Sequence, residues 1–308
     1  MGFITEYPEF SGVDLNVAAK IETYTRQYPP YSDFNAVNTL CWNNDESARV
    51  TNLHGNLAMR LPDYLDGAPF YSFLGDKEVA ATARILLDEA ERTTGRRTLR
   101  LVPEVGALAL RETGAFTVTE DPDGHDYVLS LADVAAKSGK KYIHMRQEVN
   151  YFANHYGAAT SFEWLDCARA DVRRDIYKVF LGREQHKAQQ GHDNAHEAEL
   201  VALDRLFMLV NPAKLAAYGL RIEDDLRAFI ICETIDEEWV TGHFWKADTA
   251  YRGIYRYLMW RTALRLSHEG YSKLNIEQDL GIAGLKRMKQ LFGPVTVLKK
   301  YTVSDGPV

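Results

Sequence analysis

The sequence predicts an α/β (α+β) fold made of two similar halves, and two observations lead to this prediction. A chain of 308 residues with 46% hydrophobic residues is long enough for two domains that each bury a core. The order long helix, strand, short helix, strand then occurs twice at similar lengths, in residues 78–120 and in residues 253–301. We interpret this pattern as an internal repeat of about 150 residues, visible in the order of elements rather than in residue identity.

The chain begins with two predicted helices and three strands. Apolar residues at helical spacing predict a helix over residues 14–26, which Pro29 and Pro30 end because proline cannot donate a backbone hydrogen bond. Ser32 or Asp33 is expected to cap the second helix. Apolar runs separated by turn residues then predict strands at residues 48–53, 56–61 and 70–74.

The two copies of the repeat enclose a middle region of helices and strands. The first copy has helices over residues 78–94 and 104–113 and strands at residues 98–102 and 115–120, and Gly95 closes its long helix. The middle region has helices over residues 140–156, 166–187 and 195–210 and strands near residues 160–164, 220–222, 226–234 and 239–246. The second copy has helices over residues 253–269 and 281–291 and strands at residues 273–276 and 294–301.

Residues 275–289 join carboxylates and cations where a short strand leads into a helix. Their sequence is Asn-Ile-Glu-Gln-Asp-Leu-Gly-Ile-Ala-Gly-Leu-Lys-Arg-Met-Lys. The first amides of a helix have no partner within it and favour negative charge. We therefore expect Glu277 and Asp279 to accept protons and Lys286 and Arg287 to contact an anion, although Asp279 has the residue type of a helix cap as well.

This stretch resembles the closing motif of the phosphatidylglycerol lysyltransferase C-terminal family, and two further segments resemble other motifs of that family. The residues that carry the resemblance are those of the stretch itself, Pro294, Lys300 and Tyr301, the segment 139–142 with Arg146, Asn150 and Phe152, and the segments 243–248 and 253–255. The resemblance implies two tandem GNAT (acyl-CoA N-acyltransferase)-like domains, which we expect at residues 1–138 and 139–308, with the active site in the second. It also implies transfer of an aminoacyl group from an aminoacyl-tRNA to an amine or a hydroxyl, without a cofactor.

Lys246 lies at the end of a predicted strand, just before the loop into the helix that begins at Gly253. In the GNAT core that the resemblance implies, the acyl carbonyl lies at this junction. A lysine there is expected to stabilise the oxyanion of a tetrahedral intermediate, an effect of roughly 3–4 kcal/mol for a preorganised donor. The alternative is a lysine that extends from a strand end into solvent. Asp248 is expected to orient Lys246 or to contact the aminoacyl ammonium group.

The residues of the same junction help to distinguish a tRNA donor from an acyl-CoA donor. GNAT enzymes that use acyl-CoA carry the loop Arg/Gln-x-x-Gly-x-Gly/Ala, whereas residues 250–256 here are Ala-Tyr-Arg-Gly-Ile-Tyr-Arg. One glycine is present, and Tyr255 replaces the second small residue, which weakens the acyl-CoA interpretation. Arg252 and Arg256 are the residue type that binds a phosphodiester. An acyl-CoA-dependent N-acyltransferase, and a pair of GNAT domains that only binds tRNA or a partner, remain the alternatives.

The charge balance limits how the chain could bind nucleic acid. With 36 Lys and Arg against 43 Asp and Glu, the net charge of −7 excludes a globally basic protein but allows a local basic face. Lys140, Lys141 and Arg146 form one such cluster, which is either a donor-binding face or a solvated surface. Tyr142, Arg146 and Asn150 recur at helical spacing, so we expect them to share one face of a helix.

Cysteine and histidine content predicts neither a disulfide framework nor a metal site. Cys41, Cys167 and Cys232 are few and far apart, which suits the reducing cytoplasm. His186, His192 and His196 are close together, but His196-Glu197-Ala198-Glu199-Leu200 lacks the second histidine of a zinc-protease motif. The sequence shows no signal peptide and no apolar run of about 20 residues that would span a membrane. We therefore expect a small-molecule or peptide acceptor more than a lipid, with peripheral membrane contact left open.

Overall fold

The computed structural model describes residues 4–189 and 196–306, with residues 183–189 and His196 described by their backbone alone. The helices are α1 Leu15–Thr25, α2 Ala36–Cys41, α3 Val79–Thr94, α4 Glu104–Glu112, α5 Leu131–Ala136, α6 Ile143–Tyr156, α7 Ala170–Gln189, α8 His196–Leu209, α9 Ile254–His268 and α10 Ala283–Gln290. The strands are β1 Ser11–Gly12, β2 Arg49–Leu53, β3 Asn56–Pro62, β4 Pro69–Leu74, β5 Thr98–Pro103, β6 Phe116–Glu120, β7 Asp126–Ser130, β8 Thr160–Trp164, β9 Leu215–Ile222, β10 Asp225–Thr234, β11 Trp239–Ala247, β12 Lys273–Asn275, β13 Thr296–Leu298 and β14 Lys300–Asp305.

These elements form two compact units with one seven-stranded sheet each. The first unit consists of the chain up to Asp126, Gln278–Ile282 and the chain from Val297 onward, and the second consists of Tyr127–Glu277 and Ala283–Thr296. The division differs from the one expected at residue 138. The reason is strand exchange: β7, from the first half of the chain, pairs with β12 in the second sheet, whereas the C-terminal β14 pairs with β5 and β6 in the first.

The first unit is built on a sheet with the strand order β1-β2-β3-β4-β5-β14-β6. Strands β4 and β5 are parallel neighbours and the other pairs are antiparallel. Helices α3 and α4 bury their apolar sides against this sheet, with Leu86, Leu87 and Leu110 fully inaccessible beside Phe73 and Val102. Apolar burial of this kind provides the main stabilisation of the unit.

The second unit is built on a sheet with the strand order β13-β7-β12-β11-β10-β9-β8. Strands β8 to β11 form an antiparallel meander, and β11 and β12 are parallel. Phe229, Ile230 and Phe244 from the meander are buried, as are Leu258 and Leu266 of α9. Phe229 and Ile230 are consecutive in β10 and face opposite sides, so this sheet buries apolar side chains on both faces.

Most of the predicted elements are confirmed, and the differences have local causes. Helix α2 begins after Asn35, whose Oδ1 accepts a hydrogen bond from Asn38 N at 2.8 Å, so Asn35 is the cap and Ser32–Phe34 form a separate 3₁₀ turn. The single strand predicted at residues 294–301 is two short strands, β13 and β14. Strand β7 and helix α5 were not predicted. None of the described helices is long and apolar enough to cross a membrane.

Candidate active site

The second sheet opens between its two parallel strands. Strands β11 and β12 pair from Trp239–Lys273 to Thr241–Asn275, and beyond that point β11 continues in register with β10 as far as Ala247. The register between β10 and β11 shifts at His243, because Ile231 faces Phe244 whereas Cys232 faces Gly242. His243 is the extra residue of a β-bulge, and a bulge of this kind turns a side chain out of the regular strand pattern.

The ring of His243 lies between two carboxylates. Nε2 is 3.2 Å from Glu233 Oε2, and Nδ1 is 3.3 Å from Glu277 Oε1. Burial disfavours the charged ring, but the hydrogen bonds to Glu233 and Glu277 outweigh it and raise the pKa of His243 to about 9. The imidazolium is therefore the main form at neutral pH, and the group joins β10, β11 and the residue that follows β12 by two charged hydrogen bonds.

Glu277 is the accessible member of this group. Its side chain is 19% exposed, compared with 1% for His243 and 5% for Glu233. Its backbone has a φ of 60°, which is unusual for a residue other than glycine. Asn275 Oδ1 accepts a hydrogen bond from Glu277 N at 2.7 Å, and Tyr127 N donates to the Glu277 carbonyl at 3.2 Å. These bonds hold the strained residue, so the predicted carboxylate lies at the mouth of the strand opening.

Lys246 lies further along β11, on the face of the sheet that α7 and α8 cover. Its Nζ is 2.7 Å from Glu199 Oε2 of α8 and 5.2 Å from the centre of the Phe180 ring of α7. The side chain is 10% exposed, so Lys246 does not extend into solvent as the alternative interpretation had it. Register with β10 places Lys246 opposite Phe229 and Phe244 opposite Ile231.

Asp248 follows β11 and lines a cavity. The cavity, of about 310 Å³, lies among α7, the beginning of β10 and residues 248–250. Asp248 Oδ1 accepts a hydrogen bond from Ala250 N at 3.0 Å, and Oδ2 is 3.6 Å from Arg227 Nη1. Asp248 is two residues beyond Lys246, just past the end of β11. Its expected role of orienting that lysine stays a prediction.

Asp279 belongs to the first unit, and its carboxylate is fully buried. Oδ1 accepts a hydrogen bond from Gly281 N at 2.8 Å, a local turn contact before helix α10 begins at Ala283, and not a cap of that helix. A carboxylate with no exposed surface is poorly suited to take a proton from a bound acceptor. The structure therefore favours a structural use of Asp279, and Glu277 is the better candidate for a base.

The segment 140–150 uses two of its predicted donor-binding residues within the fold. Tyr142 is buried, and its hydroxyl donates to the Gly293 carbonyl at 3.3 Å. Arg146 Nη1 donates to the carbonyls of Lys137 and, at 2.8 Å, Gly139. Tyr142, Arg146 and Asn150 thus do not act as one surface. The remaining residues of the segment that were predicted to bind the donor are exposed: Lys140, Lys141 and Asn150.

The junction before α9 is covered by α6. Gly253 has a φ of 85°, and a Cβ atom at this position would lie 2.4 Å from the Glu148 carbonyl oxygen. The glycine is therefore required for close packing between two helices. Arg252 Nη2 is 2.9 Å from Glu148 Oε1, and its guanidinium lies over the Tyr151 ring. Burial lowers the pKa of Arg256, whose Nε has no hydrogen-bond partner among the described residues.

The cations of α10 divide into buried and accessible side chains. Arg287 is exposed and Lys286 is half-buried. Lys289, which follows them, is buried, and its Nζ donates to the Ile276 carbonyl next to Glu277. The two residues predicted to contact an anion are thus the accessible ones.

Lys300, another residue of the resembling motif, lies in a buried ionic cluster of the first unit. Its Nζ is 2.5 Å from Asp33 Oδ2 and 2.7 Å from Asp126 Oδ1, and all three side chains are inaccessible to solvent. Gln278 Nε2 donates to Asp33 Oδ1 at 3.2 Å, and Ser32 donates to Asp126. Burial raises the pKa of Asp33 in spite of the nearby ammonium. Lys300 therefore serves the stability of the first unit.

Metal ligation and thiol chemistry find no support in the described residues. No group of three His, Cys, Asp or Glu side chains in residues 4–189 and 196–306 is arranged to hold a metal ion. The side chains of His186, His192 and His196 lie outside the described part. Cys41, Cys167 and Cys232 are buried thiols that form no disulfide, and burial raises the pKa of Cys167 to about 12. These thiols are not activated as nucleophiles.

Glu233 and His243 are the site residues that the sequence analysis missed. Glu233 follows a run of buried apolar residues in β10, and a carboxylate at such a position requires a partner. His243 is three residues before Lys246 in the resembling segment. A buried acid and a histidine in adjacent predicted strands were a usable signal, but the bulge that joins them is not visible in the sequence.

Known proteins share this fold. A crystal structure of a conserved protein of unknown function from Bacteroides thetaiotaomicron VPI-5482 has a TM-score of 0.79 and 23% identity, over 96% of this chain and 99% of that one. The structure of L-PGS from Bacillus licheniformis has a TM-score of 0.57 and 16% identity, over 100% of this chain and 95% of that one. A tandem GNAT protein from the clavulanic acid biosynthesis pathway has a TM-score of 0.52 and 12% identity, over 97% and 99%.

These neighbours establish the fold as two tandem GNAT-like domains. No curated protein sequence matches the chain significantly. A family model does match: the one described as phosphatidylglycerol lysyltransferase, C-terminal, aligns with residues 25–304. Since this match spans nearly the whole chain and agrees with the motifs at residues 139–152, 243–255 and 275–301, the protein belongs to the phosphatidylglycerol lysyltransferase C-terminal family.

Proposed function

We propose that this protein transfers an aminoacyl group from an aminoacyl-tRNA to an amine or hydroxyl of a small-molecule, peptide or lipid acceptor. Membership of a lysyltransferase family supports aminoacyl transfer as the type of reaction. The observation that carries the proposal is the position of Glu277 at the opening between β11 and β12, where the protonated ring of His243 holds its side chain. No further cofactor is needed for this reaction, because the ester of the charged tRNA is already activated.

The proposed step forms one bond and breaks one. The acceptor nitrogen or oxygen attacks the carbonyl carbon of the aminoacyl ester, and Glu277 takes the proton that the attacking group loses. The tetrahedral intermediate then collapses, the bond between this carbon and the ribose oxygen breaks, and the tRNA hydroxyl leaves with a proton. The products are the aminoacylated acceptor and the free tRNA end.

Lys246 is the proposed electrostatic partner of the oxyanion. Its ammonium is held at 2.7 Å from Glu199 and lies over the Phe180 ring, so it is fixed before substrate arrives. A fixed positive charge in a site with little water stabilises developing negative charge strongly, because no solvent has to reorganise. Glu199 is 23% exposed and acts here as a positioning residue for the ammonium.

Packing at α9 favours a tRNA donor over acyl-CoA. A pyrophosphate needs free amides at this helix start, yet the carbonyl and carboxylate oxygens of Glu148 lie there, against Gly253 and Arg252. The exposed cations Lys140, Lys141, Arg252 and Arg287, with half-buried Lys286, supply instead the separate contacts that a polyanionic backbone would use.

The reaction is proposed to take place in the cytoplasm, where charged tRNA is available. The three buried cysteines, which form no disulfide, suit a reducing compartment. We assign the reaction to the second unit, because it carries Lys246 and Glu277.

Binding measured at several salt concentrations tests the donor. Each phosphate that the protein neutralises should lower the affinity for tRNA by about 0.7–0.9 log units per log unit of salt. We expect a slope equivalent to several phosphates for uncharged tRNA, and no saturable binding of coenzyme A. Arg287→Glu should reduce the salt dependence of tRNA binding by the equivalent of about one neutralised phosphate. Arg84→Glu, in the first unit, should not change it. Tight binding of coenzyme A with a shallow tRNA slope would favour an acyl-CoA N-acyltransferase instead.

A further inference from the structure

The cavity next to Asp248 is polar and has the size of a small-molecule site. Its volume of about 310 Å³ is at the lower end of the range for ligand pockets. Its wall contains the acids Asp175, Asp225 and Asp248 and the cations Lys178 and Arg227. An acyl chain would have to desolvate these five charged groups, so the cavity does not suit a lipid tail.

The two signs of charge lie next to each other in the wall. Arg227 Nη2 is 3.0 Å from Asp225 Oδ2, while Nη1 is 3.6 Å from Asp248 Oδ2, which is longer than a normal hydrogen bond. Lys178 Nζ lies at a similarly loose 3.4 Å from Asp175 Oδ1. Arg227 and Asp248 thus keep hydrogen-bonding capacity for a ligand that carries a carboxylate close to an ammonium group.

Gly182 gives the cavity wall a second distinctive feature. It lies inside α7, where glycine costs about 1 kcal/mol relative to alanine. Its φ is not in the left-handed region, and a Cβ atom at this position would meet no described atom within 4 Å. Neither backbone geometry nor packing against the described residues therefore requires glycine. Its effect is to leave space in the cavity.

The cavity is also close to the proposed chemistry. Asp248 is two residues beyond Lys246, and two residues of a strand span about 7 Å. Both side chains are on the face of the sheet that α7 covers, because Lys246 contacts Phe180 of α7 and Asp248 shares the cavity with Val179 and Gly182. A small molecule in the cavity would thus place its amino group within reach of the Lys246 region.

We infer that this cavity binds the zwitterionic end of a free α-amino acid and is the acceptor subsite. Arg227 would take the carboxylate, and Asp248 would take the ammonium group. The acceptor role rests on the proposed function, whereas amino-acid binding does not. The requirement for a carboxylate separates an acceptor from the donor, because the aminoacyl group of a charged tRNA is an ester without a free carboxylate.

Titration calorimetry with matched probes tests the inference. The probes are the twenty proteinogenic L-α-amino acids at concentrations up to about 10 mM, a range that covers dissociation constants near 1 mM. The one that binds best is then compared with its methyl ester, its amide and its deaminated acid. We expect at least one amino acid to bind, and each analogue that lacks one charged group to bind about 10-fold more weakly or worse.

A size series at Gly182 ties binding to the cavity. Gly182→Ala should raise the thermal unfolding midpoint, because it removes a helix-interior glycine, and should keep most of the binding. Gly182→Trp should abolish binding. Its thermal unfolding midpoint should be no more than a few degrees below that of Gly182→Ala. Arg227→Gln should weaken the affinity for the amino acid about 10-fold but leave the affinity for its methyl ester unchanged.

Three results would overturn the inference: no binding by any of the twenty amino acids, equal binding in Gly182→Trp, or a preference for the methyl ester. The last result would make the cavity a subsite for the donor. Transfer assays distinguish these failures from failure of the proposed function. Amino-acid binding without any transfer from charged tRNA would support the cavity assignment and contradict the proposed transferase activity. Transfer without amino-acid binding would support the activity and contradict the cavity assignment.

Discussion

His243 Nδ1 lies 3.3 Å from Glu277 Oε1, across the opening between strands β11 and β12. The second ring nitrogen is held in the same way by Glu233 at 3.2 Å. The buried imidazolium lies between these two side chains, and only Glu277 has notable exposure to solvent. The pair thus presents one oriented carboxyl group at the place where the sheet separates.

Stability should fall at alkaline pH because of His243. Its pKa is raised from 6.5 to about 9 in the folded protein, so the charged ring stabilises the fold fully below pH 6.5. This contribution, about 3 kcal/mol, is lost as the pH rises through 9. Urea unfolding of the protein and of His243→Gln between pH 6 and 10 measures it, and the difference between the two should shrink over this range.

The exposed His144 provides the matched control for this experiment. His144→Gln should follow the parent protein at every pH. A stability difference between the parent and His243→Gln that does not change with pH would show that the ring is neutral in the folded protein.

Glu277→Gln should lower the pKa of His243, because it removes one of the two anions that hold the charged ring. NMR titration of the ring protons measures this change without any substrate. The same substitution should remove the acidic limb of the pH–rate profile if Glu277 is the base. Asp279→Asn should leave both the titration and the profile in place, and its amide oxygen can still accept the hydrogen bond from Gly281 N. The opposite pattern in the two variants would assign the base to Asp279.

Lys246→Met should lower turnover by about 100-fold or more while the protein remains folded. The methionine fills similar space, so the loss reports the charge. Lys246→Arg should recover part of the rate, since it restores a cation beside Glu199. Lys273→Met is the control, because Lys273 is a half-exposed strand lysine paired with Glu238. Equal rates for Lys246→Met and Lys273→Met would take Lys246 out of the mechanism.

Lys300→Met should destabilise the protein by about 3–5 kcal/mol, because it leaves two buried carboxylates without their cation. Its neighbour Lys299 is 40% exposed and pairs with Glu120 at 3.2 Å, so Lys299→Met should leave the stability almost unchanged. Chemical unfolding midpoints compare the two. Adding Asp33→Asn and Asp126→Asn to Lys300→Met should restore part of the lost stability. A triple variant that is less stable than Lys300→Met would contradict this ionic explanation.

Local sequence signals predicted the fold well where they were strong. The apolar spacing of α1 and α3 and the glycine that closes α3 gave elements within a residue or two of their observed bounds. The exchange of β7 and β14 between the sheets was not predictable in the same way. Strand pairing between residues that are 143 to 206 positions apart depends on which edges meet in the folded chain, and no local pattern records that.

The candidate site was predicted only in part, again because local sequence patterns do not show long-range contacts. Glu277 and Lys246 stood out by charge at or just after strand ends, and both lie in the second unit. The role of Gly253 was misleading, since its residue type suggested a phosphate loop whereas its conformation serves packing against Glu148. Arg146 was predicted to bind the donor and Lys300 belongs to the resembling motif, but the fold uses both charges internally. Burial of a charged residue is a tertiary property, so only the structure separates these uses.

Transfer of a labelled aminoacyl group tests the central proposal most directly. The protein is incubated with tRNA charged with radiolabelled amino acids and a pool of amines, amino acids and lipids, with and without ribonuclease, and a parallel reaction contains labelled acetyl-CoA. We predict a labelled product that depends on charged tRNA, disappears after ribonuclease treatment and is reduced about 100-fold in Lys246→Met. Product that survives ribonuclease and requires acetyl-CoA would contradict the proposal and make the protein an acyl-CoA N-acyltransferase.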